Sequence, residues 1–251
     1  MNDPGTGAAP RLAVSVVSHG HGALLLALLD DLAAAVGPAD AIIVTFNIDE
    51  EGFDRARWPR VIWIDNPVPK GFGANHNAAL LGRDADWYGV INPDIRLAAN
   101  TLATLLASAS ADPEVAMVAP RIVDAGATEQ DSGRALLTPG SLVTRVVLRL
   151  GGKRGLGIDQ ASRIDWLAGM FLIVRADAFA ALGGFDERFF LYCEDMDLSL
   201  RLQLAGHTLL FDRSVTVVHD ARRDSHRDRR HLRLHLASLA RAWTTLAFWQ
   251  Y

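Results

Sequence analysis

Short apolar runs alternate with longer Ala- and Leu-rich stretches along the first half of the chain. The apolar runs have the length and β-branched content of buried strands, and they are 12–17, 41–44, 61–64, 87–91 and 115–119. The stretches between them have the length and composition of helices, and they are 23–36, 74–82 and 98–109. This alternation predicts an α/β domain with a mostly parallel central sheet flanked by helices. In such sheets, ligands bind beyond the carboxyl ends of the strands.

The alternation breaks off in the second half of the chain. Residues 125–163 are rich in glycine and predict a long excursion of the kind that forms mobile active-site loops. The elements predicted after it are a strand at 166–174, helices at 176–182 and 194–204, and strands at 207–211 and 215–218. We therefore expect a flexible N-terminus at 1–10, one α/β domain at 11–220 and a C-terminal extension at 221–251.

Composition and charge exclude several classes of protein. The 251 residues carry a formal net charge of −4, which argues against nucleic-acid binding. Cys193 is the only cysteine, so the sequence has neither a disulfide framework nor a cysteine-based zinc site. No apolar run is long enough to span a bilayer, and residues 1–10 lack the pattern of a signal peptide. A cytoplasmic location is expected.

The predicted strand at 87–91 runs into Asn92-Pro93-Asp94. Pro93 cannot donate a ladder hydrogen bond, so the strand must stop there. Asp94 then projects at the carboxyl edge of the sheet, where a carboxylate suits Mg²⁺ or Mn²⁺ bound to a diphosphate. Taken alone, these residues fit equally well a turn that Asp94 caps.

A loop rich in Pro, Gly and Asn precedes the second predicted helix. Gly71 and Gly73 permit close approach of the backbone to a ligand, and the helix N-terminus favours anions. The amides of Asn66, Asn75 and Asn77 suit hydrogen bonds to a base, a ribose or a sugar. An ordinary strand-to-helix turn explains the same residues.

Carboxylates and aromatic side chains are concentrated in residues 183–206. Glu194 and Asp195 fall in the first turn of a predicted helix, where the macrodipole favours negative charge. If nearby aromatic side chains such as Tyr192 wall a pocket, a carboxylate there is a candidate general base. His219, after the last predicted strand, fits either a structural role or metal binding.

Taken together, these segments resemble family 2 glycosyltransferases, most closely the rhamnosyltransferase-like branch that builds bacterial surface polysaccharides such as O-antigen. The matching strings are VSVVSHG (14–20), NPVPKGFGANHNAAL (66–80), VINPDIRL (90–97), WLAGMFLIVRADAFAALGGFDERFFLYCEDMDLSLRLQLAG (166–206) and VTVVHD (215–220). The resemblance implies a GT-A (Rossmann-like) fold and inverting, metal-dependent transfer of a sugar from a nucleotide donor. The branch implies L-rhamnose from dTDP-L-rhamnose and a saccharide or polyprenyl-linked saccharide acceptor.

The resemblance also assigns roles by position. Asp94 falls on the last acidic residue of the family's metal-binding motif. The first position of that motif, usually an Asp, is Asn92 here. His219 falls on the family's metal-ligand histidine. Together they imply a Mg²⁺ or Mn²⁺ cofactor. Asp195 falls on the catalytic base and Glu194 on its neighbour. The residues expected to line the acceptor and sugar pocket are Trp166, Ala168, Gly169 and Tyr192.

Two departures from the family pattern concern the donor nucleotide. The first strand ends in Ser18-His19-Gly20 instead of the usual Thr-Tyr-Asn, and Phe46 lies near the position of an Asp that binds the base or ribose. Base recognition is then expected to use stacking, Asn47 or Asp65, and UDP- and GDP-sugars remain alternative donors. The residues expected to contact the donor are Ser18, His19, Asn47, Asn66, Gly71, Phe72, Gly73, Asn77, Asn92 and Pro93.

The C-terminal extension is basic and amphipathic. Residues 220–251 carry a charge of +4 against −8 for residues 1–219. The pattern over 229–251 predicts a helix, and its apolar face consists of Leu232, Leu236, Leu239, Trp243 and Leu246. Such a helix packs on the domain or on a second subunit, or it lies at the inner face of the cytoplasmic membrane, where Arg and aromatic side chains suit anionic lipids. A diphosphate is the expected partner of Arg222, Arg223 and Arg227. The sequence predicts no particular oligomeric state.

Three other functions are weighed against glycosyl transfer. A nucleotidyltransferase normally carries Arg and Lys after its first strand, and SHGHG (18–22) has neither. A NAD-dependent oxidoreductase requires G-x-G-x-x-G there, a pattern that Gly20 and Gly22 do not continue. A non-catalytic protein that binds nucleotide sugars predicts donor binding without turnover.

Overall fold

A computed structural model describes residues 10–50, 53–130, 132–136, 138–140, 164–220 and 229–251, with side chains in the last range from Arg233 onward. The described strands are β1 (Leu12–Ser18), β2 (Ala41–Phe46), β3 (Val61–Asp65), β4 (Trp87–Ile91), β5 (Ile95–Arg96), β6 (Val115–Val123), β7 (Glu129–Gln130), β8 (Gly133–Arg134), β9 (Trp166–Leu167), β10 (Phe171–Arg175) and β11 (Thr208–His219). The described helices are α1 (Ala23–Ala35), α2 (Phe72–Leu80), α3 (Thr101–Ser110), α4 (Ala176–Ala181), α5 (Glu194–Leu204), α6 (Arg229–Ala242) and α7 (Leu246–Gln250), and a 3₁₀ turn lies at Arg55–Arg57.

The central sheet has the order β3-β2-β1-β4-β10-β6-β11-β5, with β7 paired to β6. Strands β3, β2, β1 and β4 are parallel, as are β6 and β11, whereas β10 runs antiparallel between β4 and β6. β8 and β9 form a separate two-stranded sheet. The predicted α/β fold is confirmed, and the antiparallel β10 makes its central sheet mixed.

Two predicted boundaries in the second half are wrong. The single strand predicted at 166–174 is divided into β9 and β10, because the Gly169 amide between them donates to the Asp195 side chain instead of to a neighbouring strand. The two strands predicted at 207–211 and 215–218 form one strand, β11. Its pairing with β6 shifts register between Asp212 and Thr216, where Ser214 turns back to bond the Asp212 carboxylate.

Helices cover both faces of the sheet. The apolar residues of α1 and α3 pack on one face, and those of α2, α4 and α5 pack on the other. A third apolar cluster joins α5 to the C-terminal helices α6 and α7. This three-layer arrangement leaves the carboxyl edge of the parallel strands as the place where loops from several elements meet.

Candidate functional site

The metal pair predicted from the sequence lies together at the carboxyl edge of the sheet. Asp94 follows β4, and Nε2 of His219, at the end of β11, lies 3.2 Å from its Oδ2. The other carboxylate oxygen, Oδ1, is buried and has no hydrogen-bond partner among the described residues. An unpartnered buried carboxylate oxygen is unfavourable unless a ligand completes it.

Gln130, absent from the predicted set, orients His219. Its Oε1 lies 2.7 Å from Nδ1 of His219, which holds the ring with Nε2 facing Asp94. Nε2 faces the Asp94 carboxylate at 3.2 Å, an arrangement that either a proton on Nε2 or a bound cation satisfies. One carboxylate and one imidazole, completed by substrate phosphates and water, fit a divalent cation. The described residues contain no cluster of three or more such ligands.

The charge on Asp94 is favoured by its neighbours. Burial alone would raise the pKa of Asp94, but the hydrogen bond and charge of His219 outweigh burial and hold the pKa below its usual value. His21, in the loop after β1, contributes in the same direction. The carboxylate is therefore ionised at neutral pH and ready to bind a cation.

Glu194 and Asp195 begin helix α5, directly after a strained turn. Tyr192 and Cys193 both have positive φ, at 73° and 66°, although neither is glycine. Such conformations cost of the order of 1–2 kcal/mol per residue and tend to occur at functional sites. The turn leads directly into α5, where the Asp195 side chain reaches the Gly169 N–H between β9 and β10.

The two neighbouring carboxyl groups have different surroundings. Asp195 accepts hydrogen bonds from the backbone N–H groups of Gly169, at 2.7 Å, and Met196, at 2.8 Å. Glu194 is 4% exposed, and its Oε2 has no partner within the described part of the chain. Burial and the charge of Asp195 raise the pKa of Glu194 well above its usual value. We therefore assign the shared proton to Glu194 and the negative charge to Asp195.

Arg134, also absent from the predicted set, lies close to Asp195. Its guanidinium carbon is 4.9 Å from the ring centroid of Trp166, to which β8 and β9 pair it in register. Burial raises the pKa of Asp195, and the Gly169 amide and the charge of Arg134 oppose that rise. Arg134 therefore helps to keep Asp195 ionised.

The predicted acceptor residues lie in the segments next to Asp195, and Gly169 contacts it directly. Trp166 donates through Nε1 to the carbonyl of Ala135, which fixes the indole beside Arg134. Ala168 is held by a bond from its N–H to the Ser132 carbonyl. A Cβ on Gly169 would lie 3.3 Å from Oδ2 of Asp195, so the glycine admits the carboxylate. The structure thus brings Trp166, Ala168, Gly169 and Tyr192 to one place.

Three asparagines form a network between the ends of β2 and β3 and the start of α2. Asn47 donates to and accepts from the backbone of Lys70, at 2.9 and 2.8 Å. Asn66 donates to Asn47 at 2.9 Å and to Asn75 at 2.6 Å. These amides close the Pro- and Gly-rich loop against the sheet edge, and they shape the predicted donor side of the site.

Asn77 and the loop glycines pack against the segment before α5, and Gly71 also contacts the network, because its carbonyl accepts from Nδ2 of Asn75 at 3.0 Å. Asn77 donates to the carbonyl of Phe185 at 2.8 Å and accepts from its N–H at 2.9 Å. A Cβ on Gly71 would lie 2.7 Å from the carbonyl oxygen of Phe190, and one on Gly73 would lie 2.7 Å from Cβ of Phe185. The close approach that these glycines permit is therefore to the segment before α5, and their donor contact stays a prediction.

Phe72, the first residue of α2, contacts the segment that leads into α5. Its N–H donates to the Phe190 carbonyl at 2.8 Å, and its ring is 4.4 Å from that of His76. A Cβ on Gly169 would also lie 3.4 Å from the Phe72 ring. Phe72 thus connects the N-terminus of α2 to the residues around Asp195.

The loop between β1 and α1 is closed around a carboxylate. Glu50 accepts from the Ser18 hydroxyl, from the N–H of Gly20 at 2.9 Å and from the N–H of Gly22 at 3.3 Å. His19 lies over the asparagine network, with Nδ1 3.4 Å from Nδ2 of Asn47. The predicted donor residues Ser18 and His19 therefore lie next to one another and next to Asn47.

Phe46, at the position where the family has a nucleotide-binding Asp, is covered. It is 2% exposed, its ring stacks on Trp63 at 5.6 Å, and Arg55 lies over it at 4.9 Å. Arg55 also makes a two-pronged ion pair with Asp65 at 2.6 and 2.9 Å, which lowers the pKa of Asp65. Stacking of a base on Phe46 is therefore blocked, and the polar groups left at this edge are the Arg55–Asp65 pair and the asparagines.

Asn92 and Pro93 form the turn that carries Asp94. The N–H of Asn92 donates to the Met170 carbonyl at 2.9 Å, and its own carbonyl accepts from Ile95 at 3.2 Å. This turn is therefore tied to Met170, the residue before β10. The predicted diphosphate ligands Arg222, Arg223 and Arg227 lie outside the described residues.

The C-terminal extension packs on the domain with only part of its predicted apolar face. Leu239 is buried and Trp243 half-buried, whereas Leu236 is 53% and Leu246 75% exposed. Leu232 lies outside the described side chains. Trp249 is a further exposed aromatic residue, at 67%. Among the described residues, no helix combines the length and apolarity needed to cross a bilayer.

Comparison with known proteins places this geometry in context. No protein-family model matches the chain. The chain is 30% identical over 242 residues to the N-acetylglucosaminyl-diphospho-decaprenol L-rhamnosyltransferase of Mycobacterium tuberculosis, covering 86% of this chain and 78% of that relative. It is 29% identical over 224 residues to rhamnosyltransferase WbbL of Escherichia coli, covering 84% of each.

A solved structure shares the fold. The mannosyltransferase PcManGT from Pyrobaculum calidifontis, in complex with GDP-Man and Mn²⁺, is similar with a TM-score of 0.67 and 19% sequence identity. The similarity covers 95% of this chain and 66% of that one. At this identity the likeness establishes the architecture, a central sheet flanked by helices, and leaves the chemistry to the site residues.

Proposed function

Because the chain belongs to the rhamnosyltransferase-like branch of the family 2 glycosyltransferases, we propose that it transfers L-rhamnose from dTDP-L-rhamnose to a saccharide acceptor with inversion. Membership makes it a glycosyltransferase that uses a nucleotide-sugar donor. The observation that carries the proposed mechanism is the pair of adjacent carboxyl groups in unequal surroundings, Glu194 and Asp195, at the start of α5.

Asp195 is the proposed general base. It keeps its charge through two backbone N–H donors and the nearby Arg134, while burial raises its pKa and strengthens it as a base. It takes the proton from an acceptor hydroxyl as that oxygen attacks the anomeric carbon. The C–O bond to the acceptor forms as the bond to the diphosphate breaks on the opposite side, which inverts the anomeric centre.

Glu194 is proposed to remain protonated during this step. Two adjacent buried carboxylates would repel each other if both were ionised. A neutral Glu194 therefore leaves the charge of the pair on Asp195, and its burial close to Gly73 fixes the start of α5. Its proposed role is to orient Asp195 without placing a second negative charge beside it.

Asp94 and His219 are the proposed holders of Mg²⁺ or Mn²⁺. The free Oδ1 of Asp94 and the imidazole oriented by Gln130 support that assignment. When bound, a divalent cation neutralises the charge that develops on a departing diphosphate. The likeness to a mannosyltransferase solved with Mn²⁺ supports a metal in general but does not choose between the two ions.

The donor is proposed to lie between the β1–α1 loop and the asparagine network. His19, Asn47 and Asn66 offer polar contacts to the nucleoside, and the covered Phe46 leaves the Arg55–Asp65 pair at the base position. The names of the relatives support rhamnose as the transferred sugar, and the family resemblance supplies dTDP as the proposed nucleotide. UDP- and GDP-sugars are the alternative donors.

A lipid-linked acceptor is proposed because the mycobacterial relative is named for a decaprenol-linked substrate. The exposed Leu236, Leu246 and Trp249, together with exposed Arg233 and Arg241, give the C-terminal helices a surface suited to peripheral contact with anionic lipid. Flotation with anionic liposomes tests this contact. Equal flotation of the wild type and of a Leu246→Ser/Trp249→Ser variant would exclude it.

Two experiments test the proposed reaction. A thermal-shift screen of nucleoside diphosphates with Mn²⁺ is expected to give the largest stabilisation with dTDP, because a ligand that binds the folded state raises its stability. A transfer assay with dTDP-L-rhamnose and a polyprenyl-diphosphate-linked N-acetylglucosamine is expected to yield the rhamnosylated product. A GDP preference would overturn the donor, and binding without transfer or donor hydrolysis would favour a non-catalytic binding protein.

A further inference from the structure

The C-terminal helix α6 touches the turn that presents the proposed base. Ser238, which is 7% exposed, donates from Oγ to the Leu191 carbonyl at 2.7 Å. The ring of His235 lies edge-on to that of Tyr192, with centroids 5.1 Å apart. Both contacts fall within four residues of Asp195.

The turn needs such support. Tyr192 and Cys193 hold positive φ values, which are unfavourable for side chains with a Cβ. A strained conformation persists only when surrounding contacts determine it. The other side of the turn is held by the Phe190 carbonyl, which accepts from the Phe72 N–H. The side that faces α6 is held by Ser238 and His235.

The C-terminal helices are themselves anchored to the domain. Leu239 and Phe248 are buried in the cluster that contains Cys193 and Met196. The Tyr251 hydroxyl lies 3.0 Å from Oδ1 of Asp165 and 3.1 Å from Oε1 of Gln203. These contacts fix α6 relative to α5 and give it the rigidity to hold a strained turn.

We infer that Ser238 and His235 are positioning residues of the catalytic site, which hold the Leu191–Cys193 turn so that Asp195 points at the acceptor hydroxyl. The inference rests on the proposed function, since it takes Asp195 as the base. If it holds, the C-terminal extension is part of the catalytic machinery. That role does not depend on what the exposed side of the extension contacts.

The first test separates turnover from binding. Ser238→Ala is expected to lower kcat by about 10- to 100-fold, since small misplacements of a catalytic group have effects of that size. The KM for the donor should stay within about twofold, because the asparagine network lies apart from α6. Ser238→Thr keeps the hydroxyl and should restore kcat. Thr244→Ala is the matched control, because the exposed Thr244 bonds only within the extension, to the Arg241 carbonyl.

The second test measures opening of the turn without an activity assay. Cys193 is the only cysteine of the chain, it is 8% exposed, and burial raises the pKa of its thiol to about 12. Its reaction with an aromatic disulfide reagent should therefore be slow in the wild type and in Thr244→Ala. Ser238→Ala and His235→Ala should each speed it by about tenfold or more, because opening of the turn exposes the thiol.

The outcomes distinguish this inference from the proposed function. Wild-type kcat and unchanged labelling of Cys193 in both Ser238→Ala and His235→Ala would overturn it, as would an equal loss of kcat in Ser238→Ala and Ser238→Thr. A wild type that transfers no sugar would refute the proposed function instead. The labelling rates would then still report whether α6 holds the turn. His235→Ala alters a solvent-exposed side chain, so it keeps the test valid if Ser238→Ala fails to fold.

Discussion

The backbone N–H of Gly169 donates a 2.7 Å hydrogen bond to Oδ2 of Asp195. That bond interrupts the strand predicted at 166–174 and turns its middle into one wall of the site. Position 169 is tight for a side chain, since a Cβ there would lie 3.3 Å from the same oxygen and the carboxylate would have to shift by a few tenths of an ångström. One glycine thus both breaks a strand and supplies a donor to the proposed base.

Replacing Asp195 is expected to remove catalysis and leave donor binding. Asp195→Asn keeps the shape of the side chain but cannot accept a proton, so kcat should fall by about 10²–10⁴-fold or more. Calorimetric affinity for the nucleoside diphosphate should remain within about twofold. Asp177→Asn, at a surface pair with Arg175, serves as the control. Near-normal turnover in Asp195→Asn would refute the assignment of the base.

Removing the charge of Arg134 should move the acid limb of the pH–rate profile. Arg134 lowers the pKa of Asp195, so Arg134→Gln raises that pKa and the base protonates at a higher pH. The acid limb of kcat/KM should therefore shift upward, and activity should fall most at the acid end. Arg213→Gln is the matched control, because Arg213 also lies over an aromatic ring, that of Phe211, at 5.1 Å. If the acid limb of the pH–rate profile does not shift in Arg134→Gln, Arg134 does not act on Asp195 through its charge.

Gln130 should tune metal binding without being a ligand. Gln130→Leu removes the acceptor for Nδ1 of His219 and frees the ring to rotate, and loss of such a partner typically weakens metal affinity by about 10- to 100-fold. Calorimetric titration of Mn²⁺ in the presence of nucleoside diphosphate measures it, with the exposed Gln250→Leu as control. Nucleotide affinity that is the same with and without Mn²⁺, together with activity that resists EDTA, would remove the metal role of Asp94 and His219.

Buried His76 should make stability depend on pH below neutrality. It packs in the core with Nδ1 2.8 Å from the Ser15 hydroxyl, and burial lowers its pKa to about 3. The unfolded state takes up a proton near pH 6.5 and the folded state near pH 3. Stability is therefore complete above about pH 6.5 and falls towards pH 3 by up to about 1.4 kcal/mol per pH unit.

Urea unfolding between pH 7.5 and 4.5 checks this dependence. His76→Phe, which keeps an aromatic ring beside those of Phe72 and Phe185, removes the titrating group. The slope of unfolding free energy against pH should be smaller in that variant than in the wild type. Identical slopes would show that His76 does not titrate in this way.

Two glycines with similar backbone angles should respond differently to alanine. Gly82 and Gly184 have φ values of 80° and 75°, so both substitutions carry the cost of a left-handed residue, about 1–2 kcal/mol. A Cβ on Gly82 meets nothing within 4 Å, whereas one on Gly184 would lie 2.3 Å from Oδ1 of Asn77. Gly184→Ala should therefore lose clearly more unfolding free energy. Equal losses of unfolding free energy in chemical denaturation would contradict the close packing of Gly184 against Asn77, which bonds the backbone of Phe185.

The sequence predicted the elements well where one periodicity dominates. The apolar runs that became β1, β2 and β4 are buried along nearly their whole length and carry no competing signal. The wrong strand boundaries fall where a side chain competes with neighbouring strands for backbone hydrogen bonds. Asp195 draws the Gly169 amide out of its strand, and the Asp212–Ser214 turn bends a strand that continues beyond it.

The candidate site was predictable in its local motifs and not in its supports. Asp94 and Asp195 follow recognisable strings, and His219 lies beside Asp94 as expected. Gln130, Arg134 and Ser238 had no such signal, because each acts on a residue at least 47 positions away: 89 for Gln130 and His219, 47 for Ser238 and Leu191. Contacts across such separations depend on packing that no single-sequence pattern encodes.

The carboxylate of Glu50 has a thermodynamic consequence for ligand capture. It satisfies the hydroxyl of Ser18 and the amides of Gly20 and Gly22, so this glycine-containing loop is ordered before a ligand arrives. The conformational entropy of that loop is lost during folding and not again on association, which favours preorganised recognition. An anionic ligand that binds the same hydroxyl and amides must displace the Glu50 carboxylate. Binding of such a ligand is therefore a competition between two anions.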